Sequence, residues 1–396
     1  MEIPKIFNNM GFACLSQGSV SGRIKEKEED FIVSEIDKKG RIIDENYIPD
    51  ETGGRFTVFV LRKKNYSTDM AIKRIAKYIH QSPKRFGYAG MKDRRAITTQ
   101  LVSVFGIEKS RIEGIRAQDI ELLNPRSSTQ GITLGDLKGN RFCVRIAERQ
   151  GSISDIEKQL NCFFPNYFGE QRFGNIRLCN HKIGYSILKG DYENAAMIYL
   201  TNSDGEEDPK IVEARKELAE TRNFRIAYEN FPRYRVHEML MLNHLKDHPN
   251  DFMNAIRTLP KFTMLMFIHS LQSFIFNLEL SERIRENALE PEESEYRCRL
   301  DEFGFAVGNE KGEGPVAMNL IGNDSEITER ENEILNSLRI EKEEFRNRSM
   351  PEMTCKGDRR AMMAPYVGFQ EKDDWLSFSL GSGCYATSLL REFMKK

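Results

Sequence analysis

Strand-like patterns lie at both ends of this chain and are separated by a long block with helical patterns. Near the N-terminal end, residues 29–36 (EDFIVSEI), 56–61 (FTVFVL) and 141–146 (RFCVRI) are rich in β-branched and aromatic residues. Near the other end, residues 376–380 (LSFSL) alternate between apolar and polar side chains. Because a single late strand must pair with others to bury its apolar side, we expect it to join the N-terminal sheet.

The block between these strands is predominantly helical in its pattern. Apolar residues recur at helical spacing between residues 210 and 287, and strand character is expected to return only at 376–380. An acid-rich helix is predicted over 327–348, and Thr328 and Glu331 have the spacing of a capping box at its start. Two more helices are predicted among the N-terminal strands, one beginning at Thr68 and another over residues 155–163.

A change in composition near residue 180 marks the expected domain boundary. Acidic turns, such as DGEEDP at 204–209, occur beyond it, and the strand-rich patterns stop. We therefore expect an α+β protein with a discontinuous first domain and a large helix-rich domain inserted into it. The predicted ranges are 1–175 plus 352–396 for the first domain and 176–351 for the insertion.

Positive charge is concentrated in one segment, although the net charge of the 396 residues is only −1. Residues 61–95 carry eleven Lys or Arg and two Asp, and aromatic residues such as Tyr66 and Tyr88 are interspersed among them. Clustered cations with aromatic rings are typical of a surface that binds a nucleic-acid backbone and stacks its bases. The alternative is an ordinary solvated helix face.

The cysteines and the apolar runs indicate the cellular compartment. The seven cysteines are odd in number, widely spaced and never form CxxC, so we expect reduced thiols in a cytoplasmic protein rather than a zinc or disulfide framework. No run reaches the ~18 apolar residues that cross a bilayer, and the N-terminus lacks the pattern of a signal peptide. The sequence predicts no membrane association and points to no obligate protein partner.

Asp93 is the main candidate for chemistry. Common cofactor and nucleophile motifs such as GxGxxG, GxxxxGK[ST], HExxH and GxSxG are missing, so any chemistry must come from ordinary side chains acting on a bound substrate. It lies between Lys92 and the pair Arg94–Arg95, after a glycine-containing turn. These cations favour the ionised carboxylate, which could then act as a nucleophile or base. A loop aspartate that caps or pairs locally is the alternative interpretation of the same residues.

The residues around Asp93 and five further segments resemble motifs of the TruD family of tRNA pseudouridine synthases. GMKDRRAITTQ is similar to the family pattern G-x-K-D-[RK]-x-A-x-T-x-Q, and the six segments occur along the chain in the order typical of the family. Glu28 departs from the family pattern, because a proline is common at the position before the E-D-F run. The other segments are RIKEKEEDFIVSEI, LGDLKGNRFCVRI, PNYFGEQRFG, SLQSFIFN and LGSGCYATSLLREFM.

The resemblance implies a fold, a reaction and a set of site residues. The implied fold is a mixed, mainly antiparallel sheet flanked by helices, and the implied reaction converts uridine to pseudouridine in tRNA, typically at uridine 13, without cofactor or metal. Asp93 corresponds to the catalytic aspartate and Lys25 to the lysine that pairs with it. Phe31, Asn140 and Phe142 correspond to substrate-binding positions, although their patterns alone fit core or turn residues.

Further residues are candidates for RNA contacts, and two rival functions stay open. The rivals are a non-catalytic tRNA-binding or folding protein that keeps the fold, and a glycosylase that hydrolyses the same bond. In PNYFGEQRFG, the side chains could equally shape a hinge between domains. The RNA-binding candidates are Lys73, Arg74, Lys77, Lys92, Arg94, Arg95, Gln171 and Arg172.

Overall fold

The computed structural model describes Phe7, residues 12–174 and residues 176–395 of the chain. These residues form two units. The sheet unit consists of Leu15–Pro165, Leu300–Ala306 and the described residues from Met363 onward. The helical unit consists of Asn166–Arg299 and Val307–Met362, with Phe7 and residues 12–14. The extents of the two domains expected from the sequence remain a prediction.

The secondary structure mixes strands and helices along the whole chain. The strands are β1 (Ser21–Arg23), β2 (Phe31–Ile36), β3 (Phe56–Lys64), β4 (Phe86–Tyr88), β5 (Ile97–Phe105), β6 (Ile120–Ser128), β7 (Gly139–Arg145), β8 (Ala147–Gln150), β9 (Phe163–Pro165), β10 (Tyr296–Leu300), β11 (Ala306–Leu320), β12 (Asp358–Ala361), β13 (Met363–Lys372) and β14 (Trp375–Gly381). The helices are α1 (Thr68–Tyr78), α2 (Lys109–Glu113), α3 (Ile153–Leu160), α4 (Asn180–Leu188), α5 (Tyr192–Thr201), α6 (Pro209–Thr221), α7 (Phe224–Asn230), α8 (Val236–Leu245), α9 (Phe252–Arg257), α10 (Lys261–Glu286), α11 (Glu329–Ser337) and α12 (Ala386–Met394).

A nine-stranded sheet, counted over the described residues, forms the centre of the sheet unit. Its strand order is β6-β3-β5-β2-β7-β14-β13-β9, with β4 also paired to β5. Only the β2–β5 pair is parallel among these described strands. The late strand β14 pairs with β7, and Phe378 lies opposite Phe142. These pairings confirm the predicted α+β class and the expected return of the C-terminal strand to the N-terminal sheet.

Two apolar clusters cover one face of this sheet. The first lies on β2, β7 and β14, where α3 and α12 pack over residues such as Val33 and Phe378. The second lies on β3 and β5, where Ile72 and Ile75 of α1 pack over Phe59. Helix α1 begins as its sequence predicts, because the hydroxyl of its N-cap residue accepts a hydrogen bond from a main-chain amide. Burial of each large apolar side chain contributes about 2 kcal/mol, so the clusters hold the strands together.

The helical unit is built mainly from α4 to α11, with α10 as its longest described helix. Strands β10, β11 and β12 also form a separate three-stranded sheet, which the prediction of strand character only near 376–380 missed. The reason is that residues 308–313 of β11 (GNEKGE) are Gly-rich, charged and largely exposed, so no apolar alternation marks them. Main-chain pairing nevertheless makes β11 a strand, because it lies between β10 and β12 in this sheet and pairs with β12 over residues 317–320.

The acid-rich helix of the helical unit is shorter than predicted. Its capping box is present as expected, with Thr328 and Glu331 exchanging hydrogen bonds, but α11 ends at Ser337 instead of continuing to residue 348. Arg339 adopts a left-handed conformation with φ 57°, and the next residue, Ile340, is buried. The chain therefore turns to bury an apolar side chain that a continuous helix would direct elsewhere. No described helix combines the length and hydropathy needed to cross a membrane.

Candidate active site

Asp93 lies in the loop between β4 and β5, on the sheet face that carries the two apolar clusters. Lys63 of β3, Thr98 of β5, Val33 of β2 and Phe142 of β7 are successive cross-strand partners. Cross-strand partners project from the same face of a sheet, so these side chains form one row. The row changes from the polar Lys63 and Thr98 to the apolar Val33 and Phe142. Asp93 therefore lies at the edge of the apolar part of this face, which we call the apolar floor.

The structure brings Lys25 and Asp93 together, as the resemblance implied. The Nζ of Lys25 lies 3.4 Å from Oδ2 of Asp93, and the two side chains are 23% and 40% exposed. At this exposure the pair stabilises the fold by no more than about 1 kcal/mol. Lys25 has a left-handed backbone with φ 57°, and Arg95 Nη2 donates a hydrogen bond to its carbonyl at 3.2 Å. The pair therefore contributes little to the stability of the protein.

Phe31 and Phe142 form an aromatic wall beside this pair. The Nζ of Lys25 lies 4.0 Å from the centroid of the Phe31 ring, and the Phe31 and Phe142 centroids are 6.1 Å apart in a T-shaped arrangement. Phe142 also stacks on Phe378 at 5.5 Å. Phe31 and Phe142 are only 3% and 8% exposed. They are therefore core residues by burial, and a base that stacks on Phe31 must first displace the Lys25 ammonium.

Asn140 lies one row away on β7, opposite Glu35 of β2 and Leu380 of β14. Its Oδ1 atom is buried and has no hydrogen-bond partner among the described residues. An unpaired buried amide oxygen costs about 1–3 kcal/mol, which the fold accepts at this position. Such an atom is available to accept a hydrogen bond from a bound molecule.

Lys92 points into the protein rather than toward solvent. Its Nζ lies 2.6 Å from Oε1 of Glu35, and both side chains are buried. Burial raises the pKa of Glu35, and the Lys92 ammonium opposes this effect. The phosphate contact predicted for Lys92 would require this buried ion pair to open. Sequence reasoning missed Glu35, although its place in phase with Phe31 and Val33 is the available signal for a buried carboxylate.

The Asp93 loop is held by hydrogen bonds from its flanks as well. The main-chain N–H of Lys92 donates to Oγ1 of Thr68 at 2.9 Å, and this hydroxyl donates to Oε1 of Gln100 at 2.8 Å. The Nε2 of Gln100 donates to the carbonyl of Gly90 at 2.9 Å. These bonds connect the loop to α1 and β5. The loop is therefore fixed before any substrate binds.

The basic segment is less positive in three dimensions than its sequence suggests. Arg62 pairs with Glu121 at 2.8 Å, Lys73 with Asp69 at 2.6 Å, and Lys64 with a carboxylate from the loop before β2. Arg74 donates a hydrogen bond to the hydroxyl of a neighbouring tyrosine and lies over its ring. Within the part of the chain that the structure describes, the cations of this segment without a carboxylate partner, apart from the buried Lys63, are Arg74, Lys77, Lys84, Arg85, Arg94 and Arg95.

Gln171 and Arg172 belong to the helical unit. The Nε of Arg172 donates to the hydroxyl of Ser273 at 3.1 Å, and its guanidinium lies 5.5 Å from the centroid of the Phe168 ring. Neighbouring Asn166 bonds to the carbonyl of Ala361 at 2.9 Å. These contacts connect the PNYFGEQRFG segment to the rest of its own unit, and the predicted RNA contacts of Gln171 and Arg172 remain predictions.

Comparison with known proteins identifies relatives along nearly the whole chain. The sequence model described as tRNA pseudouridine synthase D (TruD) matches residues 8–393. A protein of Methanosarcina acetivorans named probable tRNA pseudouridine synthase D is 33% identical, with 100% of this chain and 98% of that protein aligned. A protein of the same name from Thermococcus gammatolerans is 35% identical, with 95% of each aligned. The crystal structure of a TruD protein from Methanosarcina mazei superposes with a TM-score of 0.77 at 30% identity, covering 100% of this chain and 99% of that one.

Proposed function

Because this chain belongs to the TruD family of tRNA pseudouridine synthases, we propose that it isomerises uridine to pseudouridine in tRNA, at uridine 13, with Asp93 as the catalytic carboxylate. The observation that carries the proposal is the Lys25–Asp93 pair at the edge of an apolar, aromatic floor. Such a site holds a carboxylate beside a surface on which a pyrimidine can stack.

The reaction moves one glycosidic bond and needs no net redox change. The bond from N1 of uracil to C1′ of ribose breaks, the detached base turns, and a bond from C5 to C1′ forms, while C5 loses its proton and N1 gains one. Asp93 would act as the nucleophile, on C6 of the base or on C1′ of the ribose, or would assist elimination of the base. Lys25 would orient the Asp93 carboxylate by its charge, since its Nζ lies 3.4 Å from Oδ2.

A detached base must be held while it turns, and the remaining site residues have suitable chemistry. A ring such as Phe31 or Phe142 supplies stacking worth about 1–3 kcal/mol per base. The unpaired Oδ1 of Asn140 would accept a hydrogen bond from N3–H of uracil. We assign substrate binding to these three residues and the covalent chemistry to Asp93.

The tRNA backbone would be bound by the cations that have no carboxylate partner within the described residues. Arg94 and Arg95 follow Asp93 directly in the sequence, and Arg74 and Lys77 lie on α1 of the same unit. Binding that depends on such contacts weakens steeply as salt rises, because counterions are released from the phosphates. We further propose that the sheet unit carries the chemistry, that the helical unit is the inserted domain, and that the protein acts in the cytoplasm.

The test uses unmodified tRNA transcripts tritiated at C5 of uracil. Wild-type protein should release tritium, and Asp93→Asn should release none, because an amide is neither the nucleophile nor the base. Asp155→Asn is the matched control, since this exposed aspartate of α3 lies in the same unit. Carbodiimide mapping of the product by primer extension should locate pseudouridine at position 13.

Other outcomes identify the rival functions. Absence of tritium release from any tRNA would overturn the isomerase, and tRNA binding without release would indicate a non-catalytic binder. Release of free uracil would indicate a glycosylase. Pseudouridine at another position would contradict only the choice of uridine 13.

A further inference from the structure

A buried lysine lies directly beneath the Asp93 loop. Lys63 occupies the position on β3 that continues the apolar phase of Phe59 and Leu61, and it is only 1% exposed. Its Nζ donates to the carbonyl of Tyr66 at 2.5 Å and to the carbonyl of Asp93 at 3.2 Å. Both acceptors are thus main-chain carbonyls, and one of them belongs to Asp93, the proposed catalytic residue.

Both acceptors of the Lys63 ammonium are uncharged main-chain carbonyls, and a hydrogen bond from a charged donor is about twice as strong as one from a neutral donor. Lys92, its neighbour, is buried with a carboxylate at 2.6 Å, which is the usual way to accommodate a cation in a core. The charged groups that face Lys63 are Lys92 and Asp93, whereas β5 presents the uncharged Thr98 in the same row. Burial, and to a lesser degree the Lys92 ammonium, lower the pKa of Lys63 to about 8, against the opposing effect of the Asp93 carboxylate.

Other hydrogen bonds already hold the loop in place as a structural clamp. The main chain of Lys92 and Gly90, together with the Gln100 side chain, fixes the segment before Asp93 to α1 and β5. Lys63, on strand β3, adds a hydrogen bond to the main-chain carbonyl of Asp93. Lys25 instead contacts the side-chain carboxylate of Asp93. The catalytic residue is therefore held by one lysine at its main chain and by another at its side chain.

We propose that Lys63 is a positioning residue for the isomerisation, which holds the main chain of Asp93 with its ammonium and so fixes the direction of the carboxylate. This inference rests on the proposed function. A misdirected carboxylate reacts slowly even when tRNA is bound, because misplacement by about 1 Å can cost a factor of 10² in rate. The loss should therefore fall on kcat rather than on KM, and deprotonation of Lys63 should lower kcat at alkaline pH.

The experiment compares tritium release by wild type, Lys63→Met and Lys63→Arg at pH 6.5 to 9.5. Lys63→Met should lower kcat by roughly 10- to 100-fold with KM within about twofold, and its kcat should lack the decline near pH 8 that wild type shows. Lys63→Arg keeps a charge throughout this range, so its kcat should exceed that of Lys63→Met and stay level. Lys64→Met is the matched control on the opposite face of β3 and should behave as wild type.

The outcomes separate this inference from the proposed function. Wild-type release together with an undiminished kcat in Lys63→Met would overturn the role of Lys63 alone, as would a loss confined to KM. Absence of release by wild type would overturn the proposed function itself. If Lys63→Met lacks native fluorescence from Trp375, Lys63→Arg decides the question, and a decline of its kcat near pH 8 would overturn the inference.

Discussion

Replacing Lys63 with methionine should remove a pH dependence from the stability of the sheet unit. Lys63 has a pKa of about 8 in the folded protein, lowered mainly by burial, against 10.5 for an ordinary lysine. Between these values the unfolded chain binds more protons than the folded one, so the free energy of unfolding rises with pH. The stability that the buried charge removes below pH 8 is therefore recovered between about pH 8 and 10.5.

The size of this effect follows from the two pKa values. Each unit of difference corresponds to about 1.4 kcal/mol, so the full effect is about 3 kcal/mol and the part between pH 7 and pH 10 is about 2.5 kcal/mol. Lys63→Met has no proton to exchange and should lack this increment. The slope is the diagnostic quantity rather than the absolute stability, because methionine also leaves two carbonyl oxygens without their donor.

Urea titration followed by tryptophan fluorescence measures the pH dependence of the unfolding free energy of the sheet unit. Trp375 is the only tryptophan in the sequence and lies on β14 of the sheet unit. Wild type, Lys63→Met and Lys64→Met are compared at pH 7 and pH 10, so that titrations common to all three cancel. Equal pH slopes for wild type and Lys63→Met would refute the reasoning and would mean that Lys63 keeps its proton in the folded state.

Three further outcomes are expected. Glu35→Gln leaves the buried Lys92 ammonium without its counter-charge and should lower the free energy of unfolding by about 3–5 kcal/mol, whereas adding Lys92→Met should restore part of that stability in the same urea titration. Asn140→Leu removes a buried, unpaired oxygen and should raise the unfolding free energy by about 1 kcal/mol while abolishing tritium release; lowered stability would contradict this. Arg94→Gln with Arg95→Gln should reduce the slope of log Kd for tRNA against log salt by about 1 for each arginine that binds a phosphate, and an unchanged slope would show that neither arginine does so.

The fold was predictable where burial leaves a periodic signal. Helix α1 and strand β14 were expected because their apolar residues recur at the spacing of one buried face. Strand β11 was missed because a third of it is exposed, so main-chain pairing with the strands on either side specifies its conformation there. Helix α11 was predicted too long because its end depends on the tertiary burial of Ile340, which composition alone does not indicate.

The candidate site was predictable to a different degree. The charge around Asp93 drew attention to the loop, and the resemblance placed Lys25 beside it, but no local pattern indicates that Lys92 points inward to Glu35. The sum of charges along residues 61–95 was likewise misleading, because carboxylates from distant strands, such as Glu121, neutralise part of it. The periodicity of a sequence indicates which face of a strand or helix a side chain occupies. It does not indicate which charged residue from another element lies next to that side chain in the folded protein.

The position of β14 within the sheet has a consequence for biosynthesis. β14 lies between β7 and β13, yet it follows the whole helical unit along the chain. While that unit is being translated, β7 has no partner on one side, and Phe142 lacks the ring of Phe378 that stacks on it. An unpaired strand edge with exposed apolar rings is a site for aggregation. Ribosome-bound chains that stop before β14 should therefore need chaperone protection, and slow translation of this region should lower the yield of native protein.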